Sequence, residues 1–261
     1  MGAQTVVADV ADELARRVAA GEYQPGDLMP SVRQVAEEFS MNRATAQLTL
    51  GRLESYGFVE ARRGKGFTIL DVRARGGVDV YRQLFRFSIP MPEIASEMFR
   101  DIVDVERGIV MEALLDYTGN AHGLDHSELK ADIDQLESVA RQEDPDLRRM
   151  LAIEIELVRK LLTVLGLSMR RSILNSLGDL VLEVPLAVQA FFAGAPDLHV
   201  LVWRALAAVW TSESGPSEAQ IALFEDLFGM YHERVIVRFD ELVGANAQTE
   251  QRVPSVHAAT A

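Results

Sequence analysis

The stretch from Pro30 to Gly57 constrains this chain more than any other, because it reads as two short helices with almost nothing between them. Ser31 stands three residues before Gln34, the spacing of a capping box, and opens a helix with Val35 and Phe39 on one face. Asn42 is a second N-cap, and the helix it opens carries Ala46, Leu50 and Leu53 on its inner side with a stop at Gly57. Only Ser40-Met41 bridges the two, which predicts a helix-turn-helix. Ahead of it, Val7, Val10, Leu14 and Val18 recur at helical spacing over residues 6–20, and Gly21 ends that helix. Beyond Gly57 the pattern changes to two short strands, Phe58–Ala61 and Phe67–Leu70, around the basic turn Arg62-Arg63-Gly64-Lys65-Gly66. A basic hairpin directly after a helix-turn-helix predicts a winged helix.

The net charge of −13 argues against phosphate-bearing partners until it is divided along the chain. Residues 1–75 hold 10 basic and 10 acidic groups, so the whole excess of acid falls on residues 76–261. The first part is free to carry a local basic face. With no cysteine there is no disulfide framework, thiol chemistry or cysteine-held metal, which fits a reducing cytoplasm. The most apolar stretch, LVLEVPLAVQAFFAG, is interrupted by Glu183 and Pro185, and the N-terminus lacks a basic start before an apolar run. These features predict a soluble cytoplasmic chain without a membrane partner or signal peptide.

The remainder reads as helix throughout: Val78–Phe87, Pro92–Tyr117, Asp125–Arg141, Pro145–Gly166, Ser168–Phe192, Asp197–Ser212, and a last helix from Ser217, with Gln220 at capping-box spacing, to about Val243. Pro185 must kink or break the fifth of these. The expected fold class is therefore mainly α: an N-terminal winged helix-turn-helix with a small β-hairpin, and a C-terminal all-α antiparallel bundle. The expected division is a winged helix over 1–72, a linker and interdomain helix over 73–92, a helical domain over 93–243, and a flexible tail over 244–261.

The first part resembles the DNA-binding domain of the GntR family of bacterial transcription regulators. The resemblance is carried by Gly21-x-Tyr23-x-Pro25-Gly26, Leu28-x-Pro30-Ser31-x-Arg33, Asn42-Arg43-Ala44-Thr45, Leu53-x-x-x-Gly57 and Arg63-Gly64-Lys65-Gly66, in that order over residues 6–70. It implies a homodimer that reads a palindromic operator in double-stranded DNA. Arg43, at the start of the recognition helix, can pair bidentately with guanine. Thr45 then meets a phosphate or a base methyl, Gln47 reaches adenine or phosphate, and Asn42 and Arg33 complete the helical contacts. Arg63, Gly64 and Lys65 lie along phosphate and the minor groove. Two departures bear on the operator sequence: Gln47 stands where the family often has a second arginine, and Ala44 replaces a common hydroxyl residue.

A helical second domain of this length is similar to that of the FadR-like subfamily, which implies a small-molecule effector. One group of that subfamily holds a metal through an Asp and three His. In LAIEIELVRKLL the corresponding helix offers Glu154, Glu156 and Arg159 but no His, so Glu156, His199 and His232 are the residues left to approach such a site. Packing or surface roles for the two histidines are the preferred reading, with no cofactor. A second group binds long-chain fatty acyl-CoA without a metal, and this sequence fits it better. The expected effector is a long-chain fatty acyl-CoA or fatty acid, the alternative a metal-assisted small carboxylate. Arg82 and Arg100 are the candidate cations for its head, and Phe192, Trp203, Phe228 and Tyr231 the candidate lining. A helix interrupted at Pro185 can open a cavity for it. No nucleophile–base pair or phosphate loop points to an enzyme.

Overall fold

In the computed structural model, which describes residues 3–212 and 215–252, the first unit is built on helix α1 (Ala3–Ala19). α1 buries Ala11, Leu14, Ala15 and Val18, the stripe its 3.6-residue period creates. The helix-turn-helix follows as α2 (Val32–Glu38) and α3 (Arg43–Ser55). Both predicted caps form. Ser31 Oγ accepts from the Gln34 amide at 3.3 Å while Gln34 Oε1 accepts from the Ser31 amide at 2.9 Å. Asn42 Oδ1 accepts from the Thr45 amide at 2.8 Å. The turn between them is tight enough to hold Ser40 at φ +50°, in the left-handed region. Gly57 ends the motif at φ +80°, and a Cβ there would stand 2.6 Å from Val80 Cγ2, so both backbone and space demand glycine.

The hairpin forms from β1 (Val59–Arg62) and β2 (Gly66–Ile69), antiparallel with Val59 opposite Ile69 and Arg62 opposite Gly66. Leu28 makes an antiparallel bridge to Thr68, and the Met29 amide donates to Phe67 O at 2.8 Å. Pairing with β2, forty residues on, makes the stretch at Leu28 and Met29 a third short edge of the wing. α4 (Val72–Arg75) and α5 (Val78–Ser88) close the unit. The helix read over Val78–Phe87, in the expected linker and interdomain segment 73–92, is α5, and it packs on α1 with Leu84, Phe85 and Phe87 buried. Phe87 meets Phe58 edge-on at 6.0 Å and Tyr56 at 5.9 Å. Asp12 of α1 accepts from Tyr56 Oη at 2.8 Å and from Arg86 Nη2 at 2.7 Å.

The chain divides into two compact units at Ala95, within α6 (Pro92–Asn120). The second contains α7 (Ser127–Ala140), α8 (Leu147–Val164), α9 (Ser168–Leu182), α10 (Pro185–Phe191), α11 (Pro196–Trp210) and α12 (Glu218–Arg252). α8 is its centre, packed against α7, α9 and α10. The helix expected over Ser168–Phe192 is two helices at 108°. Pro185 has no amide hydrogen and its ring excludes the carbonyl four residues back, so it begins α10 instead of continuing α9. The Ser217–Gln220 capping box forms. α12 passes the predicted end at Val243 and runs to Arg252, because Ala245, Ala247 and Gln248 favour helix enough to absorb Gly244. Residues 253–261 of the expected tail lie outside the described residues. Among the described residues no single helix is long and apolar enough to cross a membrane.

Candidate functional site

α3 is fixed from below by Ala46, Thr49, Leu50 and Leu53, all buried, so its first turn points to solvent. Arg43 is the first helical residue, is exposed, and its side chain has no hydrogen bond or ion pair among the described residues. Gln47, one turn on, is equally free. Asn42 and Thr45 are partly committed to each other, because the Thr45 hydroxyl also donates to Asn42 Oδ1, at 3.1 Å. What they can still offer a phosphate is the Asn42 amide nitrogen as donor; the Thr45 oxygen is left to accept from a base amino group. Arg33 is 68 % exposed and only loosely held by Glu37, at 3.6 Å.

At the wing tip Gly64 and Gly66 take φ +75° and +101°, conformations that keep the turn narrow. Arg63 and Lys65 are exposed there with no side-chain partner among the described residues. The neutral balance of residues 1–75 is thereby resolved. Arg16 and Arg17 are held by Glu13, Arg17 also by Glu38, and Arg62 by Glu60 at 2.7 Å. The cations left over include Arg43 on the recognition helix and Arg63 and Lys65 on the wing. Replacing Lys65 by Ala is expected to weaken binding to all duplexes alike and to lower the slope of log K against log salt by about 1, measured by fluorescence anisotropy from 50 to 200 mM salt. An unchanged slope would remove Lys65 from the interface.

In the helical unit the named aromatic and histidine residues gather around Tyr231. Its hydroxyl donates to Phe191 O at 2.8 Å, and its ring lies edge-on to His199 at 5.6 Å and to His232 at 4.9 Å. His199 Nδ1 is 2.9 Å from Glu154 Oε1, which also accepts from Trp203 Nε1 at 2.9 Å. His232 Nδ1 is 2.8 Å from Phe228 O and Nε2 is 3.1 Å from Glu106 Oε2. Burial lowers the His199 pKa, but the Glu154 charge and hydrogen bond outweigh it and hold the imidazole above its ordinary 6.5. Burial, then the Glu154 and Glu106 carboxylates, raise Tyr231 well above the usual phenol range.

The metal candidates do not converge. Glu156 is exposed and pairs with Arg159 at 3.4 Å, while His199 and His232 each face a different glutamate. Among the described residues no three His, Asp or Glu stand where they could hold an ion. Glu106 and Glu154 are the functional-looking residues whose partners sequence reasoning missed. Each occupies an apolar-stripe position, between Ile102 and Ile109 and between Leu151 and Leu157, and a carboxylate there signals a buried partner.

Of the other candidates, the Phe192 ring lies tilted against His199 with centroids 4.5 Å apart, and Trp203 is core. Arg82 lies on α5 in the first unit; Arg100, in the second, is exposed and 3.6 Å from Asp240. Phe228 lines a groove of about 440 Å³ between α6 and α12, together with Met111, Leu115, Glu112 and Glu225. A second groove, about 420 Å³, lies at the α9–α10 break and is lined by Leu147, Arg148, Leu182, Glu183, Pro185, Val188 and Gln189.

Residues 7–69 match the family described as bacterial regulatory proteins, gntR family, and this segment is a winged helix-turn-helix of that type. The HTH-type transcriptional regulator Mce2R of Mycobacterium tuberculosis is 37 % identical over 84 residues, which cover 32 % of this chain and 35 % of Mce2R. The uncharacterized HTH-type transcriptional regulator YhcF of Bacillus subtilis is 40 % identical over 62 residues, 24 % of this chain and 51 % of YhcF. The chain thus spans about a third of one relative and half of the other. A solved structure described as Lar, which controls expression of the Listeria monocytogenes agr system, aligns over 95 % of this chain and 97 % of its own at 14 % identity and a TM-score of 0.46, a likeness too loose to bear on the helical unit.

Proposed function

We propose that the protein is a transcription regulator that binds operator DNA through its winged helix, as a homodimer, and is not an enzyme. One observation carries this reading: Arg43 at the solvent end of α3 and Arg63 and Lys65 at the wing tip are unpaired among the described residues, while Arg16, Arg17 and Arg62 are held by glutamates. A two-fold dimer presenting two such helices reads a palindrome. The helical unit is the effector domain, of the FadR-like kind, and its effector is a long-chain fatty acyl-CoA or fatty acid. Support for the acyl chain comes from the groove at the Pro185 break, where Leu147, Leu182 and Val188 surround a space of about 420 Å³ with Arg148 at its edge for an acidic head. Its volume is that of a ligand pocket, and each buried methylene contributes about 0.8 kcal/mol.

The test is operator affinity titrated with acyl-CoAs of increasing chain length. The expected result is release of DNA that strengthens with chain length and is lost in Val188→Glu. Flat affinity for every chain, with release by a short carboxylic acid and zinc, would replace the lipid reading by the metal-assisted one.

A further inference from the structure

A surface helix ordinarily shows water a polar face. α12 shows a mixed one: among exposed charges such as Glu225, Glu233 and Arg238, Leu223, Leu227, Met230 and Val237 recur at four-, three- and seven-residue steps and are each 55–59 % exposed. Scattered apolar residues on a surface need no explanation, but a continuous row along one helix marks a face that something covers. The outer side of α11, which meets α12 where His199 faces Tyr231, is similar, with Leu198, Leu201 and Val202 47–64 % exposed.

The charges within the α12 row say what covers it. Asp226, Met230 and Arg234 stand on successive turns, and neither Asp226 nor Arg234 has an ion-pair partner among the described residues. A row with an acid at one end, a methionine at its centre and a base at the other is complementary to itself turned end for end. We infer that α12 is the self-association face: two copies cross α12 on α12 about a two-fold axis at Met230, and Asp226 of each meets Arg234 of the other. This deepens the dimeric regulator reading and rests on it. Rows of residues four apart interdigitate in the commonest class of helix packing, at a crossing angle of about −50°. A two-fold interface uses the same patch on both copies, as this row requires. With −13 on each chain, two copies repel across most of their surface, and this row carries no net charge.

The experiment uses the full chain without DNA. Light scattering at micromolar concentration is expected to give a dimer. Arg234→Asp and Asp226→Arg should each weaken it at least tenfold, and the double exchange should restore it, since the pairs are then reversed but intact. Circular dichroism checks that each variant folds. The chain has no cysteine, so Met230→Cys places a single thiol at the axis. A short bis-maleimide should link two copies of that variant, but not of Val164→Cys, exposed on α8. A monomeric wild type, or a dimer that survives Met230→Glu and leaves Met230→Cys unlinked, overturns the inference. A dimer of this kind that fails to bind operator overturns the regulator reading alone. A monomer that binds operator selectively overturns the α12 interface alone.

Discussion

Arg43→Ala is expected to abolish selection of the operator over unrelated duplex while leaving the fold intact. A bidentate arginine–guanine contact discriminates by about 1–3 kcal/mol, and a dimer makes it twice. At 1.4 kcal/mol per factor of ten, the loss is roughly 30-fold to 10⁴-fold in selectivity. Stability should hardly move, because Arg43 is exposed and the cap of α3 belongs to Asn42, not to Arg43. Arg43→Lys separates charge from geometry: it keeps the cation but loses the planar fork, so general affinity survives while selectivity drops. The measurement is competition between operator and scrambled duplex at fixed salt. Unchanged selectivity in Arg43→Ala would mean that α3 does not enter the groove by its first turn.

The second large effect concerns stability. Glu154→Ala is expected to destabilise the helical unit by about 3–5 kcal/mol, since it leaves His199 and the Trp203 indole buried without an acceptor. In a unit of this size that is roughly 6–20 °C in Tm. Glu154→Gln keeps an acceptor for Trp203 and removes only the charge, so its loss should be smaller. The pair also sets a pH dependence. The folded His199 pKa is raised above 6.5, so its contribution is complete below that value and fades as pH rises through the raised one. Wild-type Tm should therefore fall across that window and the Gln variant should be flatter. Equal slopes in the two proteins would show that His199 is not charged in the folded state.

What the sequence made legible was local. The capping boxes at Ser31 and Ser217, the Asn42 cap, the Gly57 stop and the Pro185 break each depend on residues within a turn of one another, and all take the form their spacing predicts. The parts that escaped are pairings between distant residues. Leu28 joins the wing only through β2. His199 and Glu154 are 45 positions apart, and His232 and Glu106 are 126 apart. A periodicity shows that a carboxylate sits on a buried face, but not which element supplies its partner. The two histidines were left between surface and packing roles; the glutamates that hold them were not foreseen as partners.

The contacts of α5 also bear on how far the first unit can be treated as a transferable module. Leu84, Phe85 and Phe87 are buried on it, and burial of such side chains contributes about 1.5–3 kcal/mol each. Arg86 and Tyr56 share Asp12, so the end of the recognition helix and α5 are anchored on the same carboxylate. A fragment cut after the wing would therefore bare the apolar side of α1 and leave Asp12 with half its partners. Moving this winged-helix unit onto another helical unit, or another winged helix onto this one, needs a junction beyond Ser88. The unit inherited in such an exchange is longer than residues 7–69, the segment that matches the gntR family.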